Sequence, residues 1–161
     1  MAIETERKFL VTGTEWLNKA TGKTCYRQGY ICREKERTVR VRVGETAYLT
    51  IKGPSRGISR DEFEYEIPLD DAEAMLATIC HKPLIEKVRY NVPHASLTWE
   101  VDVFEGENQG LVLAEIELDN ENIEVPLPDW VGVEVTGDSR YNNASLVGNP
   151  FSQWGNNARS E

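Results

Sequence analysis

Charge in this chain comes in strand-length runs where every second side chain is ionisable and those between are mostly apolar. Arg40 and Arg42 alternate with Val39, Val41 and Val43, and Glu62, Glu64 and Glu66 with Phe63, Tyr65 and Ile67. Glu100 and Asp102 alternate with Trp99, Val101 and Val103, and Glu115 and Glu117 with Ala114, Ile116 and Leu118. Lys87 and Arg89 flank Val88, and Lys52 ends a run whose Leu49 and Ile51 face the other way. A period of two sends successive side chains to opposite faces of a β-strand, so each run has one apolar and one charged face. Most runs also carry one sign only. Like charges side by side on a solvated sheet face repel, and exposed faces ordinarily use Thr, Ser and mixed signs. One such run reads as a solvated face; six of them constrain the fold.

Strands are expected at 3–11, 24–32, 37–43, 46–52, 60–68, 85–91, 97–104 and 112–119, with turn chemistry at Gly44-Glu45, at residues 53–57 and at residues 106–110. Helices are fewer. Asp70 or Asp71 caps one that runs through Ile79, with Ala72, Met75, Leu76 and Ile79 on one face. A short helix is expected at Glu15 to Lys19, and Asp138 caps another through Leu146. Eight short strands of similar spacing suggest an antiparallel barrel, because closure removes exposed edges. One face of every strand then shares a common interior, and helices cover the apolar exterior. The expected class is mainly β (α+β), with a few packing helices. At 161 residues the chain suits one domain, placed at 1–147, with a core that needs no disulfide or structural metal. A polar tail at 148–161 is expected to be mobile, with Phe151 and Trp154 its two residues able to dock on the body.

An interior with carboxylates on some strands and Arg or Lys on others has a specific chemical use. Basic side chains pair with phosphate oxygens, Arg in bidentate fashion and Lys as a point charge. Carboxylates hold Mg²⁺ or Mn²⁺, hard cations that take oxygen ligands and bridge to phosphates. Neither set is favourable buried alone. The net charge of −9 argues against a body of nucleic acid as partner, which would demand a basic excess. A polyphosphate bound by a local basic wall and bridging cations is compatible with it. No apolar run reaches membrane-spanning length, and the start (MAIETERKF) has no signal-peptide core, so no membrane partner is expected. Three cysteines without a CxxC pair read as free thiols of a cytoplasmic protein. Two histidines, His81 and His94, argue against a zinc site or a His-based triad. A monomer and a homodimer are both compatible with this composition.

Glu4-Thr5-Glu6-Arg7-Lys8 resembles the ExExK signature of the CYTH domain superfamily, the triphosphate tunnel metalloenzymes. The resemblance extends in order over residues 3 to 147, through RQGYI at 27–31, VRVRV at 39–43, LTIKG at 49–53, SRDEFEYEI at 59–67, EKVRY at 86–90, WEVDVF at 99–104, LAEIEL at 113–118 and EVTGDSRYNNASL at 134–146. It implies an eight-stranded antiparallel barrel forming a tunnel for a triphosphate, with the C-terminal helix near one mouth. By similarity, Lys8, Arg40, Arg42, Lys52, Lys87, Arg89 and Arg140 contact phosphate. Glu4, Glu6, Glu62, Glu64, Glu100, Asp102, Glu115 and Glu117 form the metal side, and Glu4, Glu6 or Glu117 orients the attacking water. Glu66 is in phase but lies at a strand end, and Thr5 and Arg7 face outward. Tyr30 and Tyr141 serve packing or touch the substrate.

The activity implied is hydrolysis of inorganic tripolyphosphate to diphosphate and phosphate, dependent on Mg²⁺ or Mn²⁺. Other triphosphates remain open: Trp16, Tyr30 and Tyr65 would give a thiamine triphosphatase its apolar mouth, and a nucleoside triphosphatase needs similar room. A class IV adenylyl cyclase is disfavoured because the HF motif beside the ExExK segment is absent. The alternative of another kind is a polyphosphate-binding module without catalysis.

Overall fold

The computed structural model describes residues 2–155. Among them nine strands form: β1 (Ile3–Val11), β2 (Gly22–Glu34), β3 (Arg37–Val43), β4 (Ala47–Lys52), β5 (Ser59–Ile67), β6 (Ile85–His94), β7 (Leu97–Phe104), β8 (Val112–Glu117) and β9 (Val131–Glu134). The α-helices are α1 (Leu69–Thr78) and α2 (Asn143–Gly148), with short 3-10 turns at Glu15–Lys19, Gly106–Asn108, Ser139–Tyr141 and Phe151–Gln153. All eight expected strands are present, with ends shifted by a few residues.

Eight of the strands close antiparallel in the order β5-β4-β3-β2-β6-β7-β8-β1, and β1 returns to β5. The β1–β5 seam is short, running from Ile3 opposite Asp61 to Thr5 opposite Ser59. Past it the same edge of β1 changes partner. Glu6 N–H still donates to Ile58 O at 3.2 Å, but Lys8 O accepts from Val135 N–H at 2.8 Å and Lys8 N–H donates to Thr136 Oγ1 at 2.9 Å. β9, which the sequence pattern did not reveal, and the two residues after it therefore satisfy backbone groups that the short seam would leave unpaired. Arg7, outward as expected, forks onto Glu134 of β9 at 2.8 and 2.9 Å.

The exterior of β1, β6, β7 and β8 carries Phe9, Val92, Trp99, Val101, Ala114 and Ile116. Trp16, Leu118, Val125 and Trp130 cover it, and Trp99 meets Phe9 and Trp130 edge-on at ring centroids of 5.4 and 5.8 Å. Such aromatic pairs add about 0.5–1.5 kcal/mol each beyond area burial. On the opposite side Ala72 and Leu76 of α1 pack on Val41, Val43 and Ala47. The N-cap of α1 is Pro68 rather than Asp70 or Asp71, which lie in the first turn where carboxylates favour the helix dipole. The expected helix from Asp138 is broken in two. Asp138 caps the 3-10 turn Ser139–Tyr141, an extended Asn142 follows, and α2 begins at Asn143.

The inside of the barrel is divided along its length. The inward positions that follow the charged ones are Leu10, Ile85, Phe104 and Leu113, and with Tyr30 they form an apolar cluster. Tyr141, Leu146, Val147 and Trp154 close it from the C-terminal side. Trp154 is 8% exposed and packs edge-on against Tyr141 and Phe151. Of the stretch expected to be mobile, residues 148–155 thus lie against the barrel, and residues 156–161 lie outside the described residues.

Candidate active site

Inward positions of the remaining length line a cavity of about 970 Å³. Glu4, Glu6 and Lys8 come from β1, Arg40 and Arg42 from β3, Lys52 from β4, Glu62 and Glu64 from β5, Lys87 and Arg89 from β6, Glu100 from β7, and Glu115 and Glu117 from β8. The pleat alone puts them together: strand pairing sets Glu6 opposite Glu117, Lys8 opposite Glu115, Lys52 opposite Glu62 and Glu100 opposite Glu115. Most of the charged residues picked out by alternation therefore share one chamber.

At one end the carboxylates crowd. Ligand oxygens of Glu4, Glu6 and Glu117 lie within 4.8 Å of one another. Burial opposes ionisation of Glu4, yet Lys52 Nζ at 3.0 Å from both its oxygens holds the carboxyl below its usual value. Glu6 and Glu117 have no such donor among the described residues. Burial, with repulsion from Glu115 and Glu4, pushes Glu6 up to about 8. Burial, with repulsion from Glu100, Glu4 and Glu62, pushes Glu117 to about 7. Glu62 and Glu100 are raised too, first by burial. Converging oxygen donors whose ionisation is held back by their own mutual repulsion fit a hard divalent cation, which would relieve that repulsion. Glu115 differs: it is buried, but Lys8 and Arg89 hold it well below the ordinary range.

The opposite wall is cationic and incompletely neutralised. Arg40, 7% exposed, reaches Thr50 Oγ1 at 3.2 Å and Glu64 Oε2 at 3.4 Å, while its buried Nε has no partner. Arg42 donates through Nε to Gln28 Oε1 at 2.8 Å. Its other neighbours include Arg40 and Arg89, and burial followed by their charges lowers it to about 10. Burial likewise lowers Lys87 to about 7, despite Asp102. Lys8 Nζ donates to Tyr141 O at 3.3 Å. A concave wall of buried cations, one with an orphaned N–H, is arranged for an anion with several oxygens.

Two expected residues are placed elsewhere. Asp102, named for the metal side, is fully buried behind the wall and does not line the cavity. Its oxygens accept from Lys87 Nζ at 2.7 Å and from Arg89 Nε and Nη2 at 2.8 and 2.9 Å, so its lone pairs serve the basic residues. Arg140, named for phosphate, also does not line the cavity; it forks onto Asp138, at 2.8 Å for the closest pair, and its guanidinium lies over the Tyr141 and Trp154 rings. Glu66 is exposed on its strand end, outside the lining. Trp16 is buried in the exterior cluster and Tyr65 is 58% exposed on the outer face of β5. Neither can form an apolar mouth. Tyr30 lines the cavity from its apolar end, and Tyr26 lines it with its ring under Arg42 and Arg89, at 4.6 and 5.7 Å.

Alternation missed Gln28, Arg33 and Asn143. Arg33 enters the cavity because β2 bulges between Tyr30, opposite Arg40, and Cys32, opposite Val39. The extra residue reverses the pleat's phase, so odd positions turn inward after it. No single-strand pattern marks a bulge. Gln28 is in phase but uncharged, and Asn143 belongs to the C-terminal segment that packs across the barrel.

Relatives match over most of the chain. An inorganic triphosphatase of Acetivibrio thermocellus is 54% identical over 152 residues, covering 94% of this chain and 97% of that protein. An inorganic triphosphatase of Nitrosomonas europaea is 35% identical over 150 residues, covering 89% of this chain and 96% of that one. The crystal structure of an inorganic triphosphatase superimposes with a TM-score of 0.62 at 31% identity, covering 91% of this chain and 95% of its own. The CYTH domain family model matches residues 2–147, and with the closed barrel and its facing sets of opposite charge the chain belongs to the CYTH domain family.

Proposed function

We propose that this protein hydrolyses inorganic triphosphate to diphosphate and phosphate with the aid of Mg²⁺ or Mn²⁺. The observation that carries the reading is the meeting of two incomplete charge sets in one chamber: Glu4, Glu6 and Glu117 within 4.8 Å, facing a wall where Arg42 has no counter-charge among the described residues and Arg40 keeps a buried Nε without a partner. The naming of two relatives as inorganic triphosphatases points the same way. Charged and polar side chains make up most of the cavity lining, and the ring of Tyr26 already lies under two guanidinium groups. An organic group would find little to stack on, which favours an inorganic substrate over thiamine triphosphate or a nucleotide.

Lys8, Arg40, Arg42, Lys87 and Arg89 bind the phosphate oxygens and stabilise the charge that shifts to the bridging oxygen as its bond to phosphorus breaks. Lys52 is committed to Glu4 and Glu62, at 3.0 and 3.4 Å, and orients them. Asp102 is a positioning residue for Lys87 and Arg89. Glu4, Glu6 and Glu117 are the residues that would hold the divalent cation, which supplies charge neutralisation and a more acidic water. Glu6 and Glu117, with no donor of their own, are the carboxylates free to take the water's proton as its oxygen adds to the terminal phosphorus. Among the described residues no helix is long and apolar enough to cross a membrane.

The test is phosphate release from tripolyphosphate, thiamine triphosphate and ATP, each with Mg²⁺, Mn²⁺ or EDTA. Tripolyphosphate should be turned over at least about tenfold faster, by kcat/KM, than either organic substrate, and EDTA should abolish it. Tight tripolyphosphate binding without turnover of any of the three would make the protein a binding module. A preference for an organic triphosphate would overturn the substrate assignment.

A further inference from the structure

Each basic side chain that β1, β3, β4 and β6 bring to the cavity has an acceptor inside the protein, but the acceptors differ in kind. Arg89 and Lys87 share Asp102, Lys52 has Glu4 and Glu62, and Arg40 has Glu64. Arg42 has an amide. Gln28 is 0% exposed and sits directly opposite Arg42 in the β2–β3 pairing, where its Oε1 accepts from Arg42 Nε at 2.8 Å. Its Nε2 donates to Asn143 Oδ1 at 2.8 Å, and the same oxygen accepts from Lys87 Nζ at 2.9 Å. The amide orientations are forced: Arg42 and Lys87 can only donate, so both must meet oxygens. Two neutral side chains thus bridge two buried cations without cancelling either charge.

The choice of an amide has an energetic consequence. Arg42 lines the cavity, forms no salt bridge among the described residues, and has Arg40 and Arg89 for neighbours. A carboxylate at position 28 would fill the same volume, accept the same hydrogen bond and neutralise the guanidinium. A buried cation left uncompensated destabilises the free protein and strengthens the hold on any anion that arrives. Gln28 engages Nε, and among the described residues none accepts from the two terminal nitrogens of Arg42, which form the fork that suits two phosphate oxygens.

We propose that Gln28 is a positioning residue that aims Arg42 while leaving its charge uncompensated, so that this charge is neutralised by a bound phosphate instead of by the protein. This rests on the triphosphate reading above. Asn143 completes the arrangement from α2, linking the C-terminal segment to the same two cations.

The test compares Gln28→Glu and Gln28→Leu with the unaltered protein. Tripolyphosphate binding is measured by calorimetry in EDTA, where no turnover is expected, and unfolding temperature is measured without ligand. Gln28→Glu should weaken tripolyphosphate binding by about tenfold or more while lowering the unfolding temperature less than Gln28→Leu does, since it supplies the missing counter-charge although it loses the donor to Asn143. Gln28→Leu should weaken binding less and lower the unfolding temperature, because Arg42 Nε and Asn143 lose a partner. In an Arg42→Met background, Gln28→Leu should change affinity by less than about twofold. Binding by Gln28→Glu within twofold of the unaltered protein would overturn the proposal. So would a loss of affinity that parallels the loss of stability across the two variants, or an undiminished effect of Gln28→Leu when Arg42 is absent. If Gln28→Glu does not fold, the Arg42→Met comparison decides alone. Failure of the unaltered protein to bind tripolyphosphate would instead refute the triphosphate reading.

Discussion

Replacing Glu6 by Gln should stabilise the metal-free protein at alkaline pH while removing its response to Mg²⁺. Burial, helped by Glu115 and Glu4, raises the Glu6 carboxyl from an ordinary 4.5 to about 8. A folded value above the unfolded one means that the folded state holds its proton more tightly. The stability this provides is complete below about 4.5 and is lost progressively as pH rises through about 8. Taken at face value, with about 1.4 kcal/mol for each pH unit, the ionised carboxylate costs the free protein on the order of 4–5 kcal/mol. Water in the cavity screens the repulsion, so about 2 kcal/mol is the more realistic expectation. For a chain of this size that amounts to ~4–8 °C in unfolding temperature. In EDTA, the unaltered protein should therefore melt lower at pH 8.5 than at pH 5.5, and Glu6→Gln should flatten most of that difference. With Mg²⁺, the unaltered protein should gain stability at pH 8.5 and little at pH 5.5, because protons compete with the cation for the same oxygens. Glu6→Gln should lose most of the gain, and with it metal-dependent phosphate release. Calorimetric or fluorescence-detected melts over these four conditions suffice. A variant that melts no higher than the unaltered protein at pH 8.5 in EDTA, or that keeps the full Mg²⁺ gain, would refute the assignment of Glu6 to a strained carboxylate cluster.

Asp102→Asn should lower stability by about 3–5 kcal/mol in urea unfolding, because it leaves Arg89 and Lys87 buried without their shared carboxylate. Trp154→Ala should cost about 3–5 kcal/mol in the same assay, since it opens the apolar cluster beside Tyr141. Glu66→Gln, on an exposed strand end, should leave kcat/KM for tripolyphosphate within about twofold, whereas Glu117→Gln should lower it by at least about a hundredfold. Arg33→Ala should raise KM more than it lowers kcat, with a loss that shrinks as salt is added, as befits an exposed cation at the cavity edge.

The alternation of charge was enough to read the barrel and most of its lining, because a pleated strand assigns faces by parity alone. Arg40 and Arg42, Lys87 and Arg89, Glu115 and Glu117 needed no knowledge of their partners to be placed on one face. Parity fails where the backbone breaks its own rhythm. The bulge after Tyr30 turns Arg33 inward and Cys32 outward, although parity counted from Gln28 puts Cys32 inside. It fails also where a segment is too short to stand out, as in the four residues of β9, where Val131 and Val133 alternate with Gly132 and Glu134 but the partner is the free edge of β1.

A subtler failure concerns depth. Parity places Glu100 and Asp102 on the same inward face, and both do point inward. Glu100 reaches the cavity, while Asp102, one pleat further along, stops beneath Lys87 and Arg89 and is consumed by them. Charge alternation cannot separate a carboxylate that meets a ligand from one that holds the ligand's binders, because both need the same face. What separates them is the supply of donors around each. Glu6 and Glu117 have none among the described residues, Glu4 has one lysine, and Asp102 has two cations and no lone pair directed at the cavity. The same logic distinguishes Arg42 from Arg89 on the opposite wall: one is left with an amide and the other has carboxylates beside it. On the proposed function, the reactive end of each charged set is the end the protein leaves unneutralised, and that property resides in pairs of strands, where a sequence read one strand at a time has no access to it.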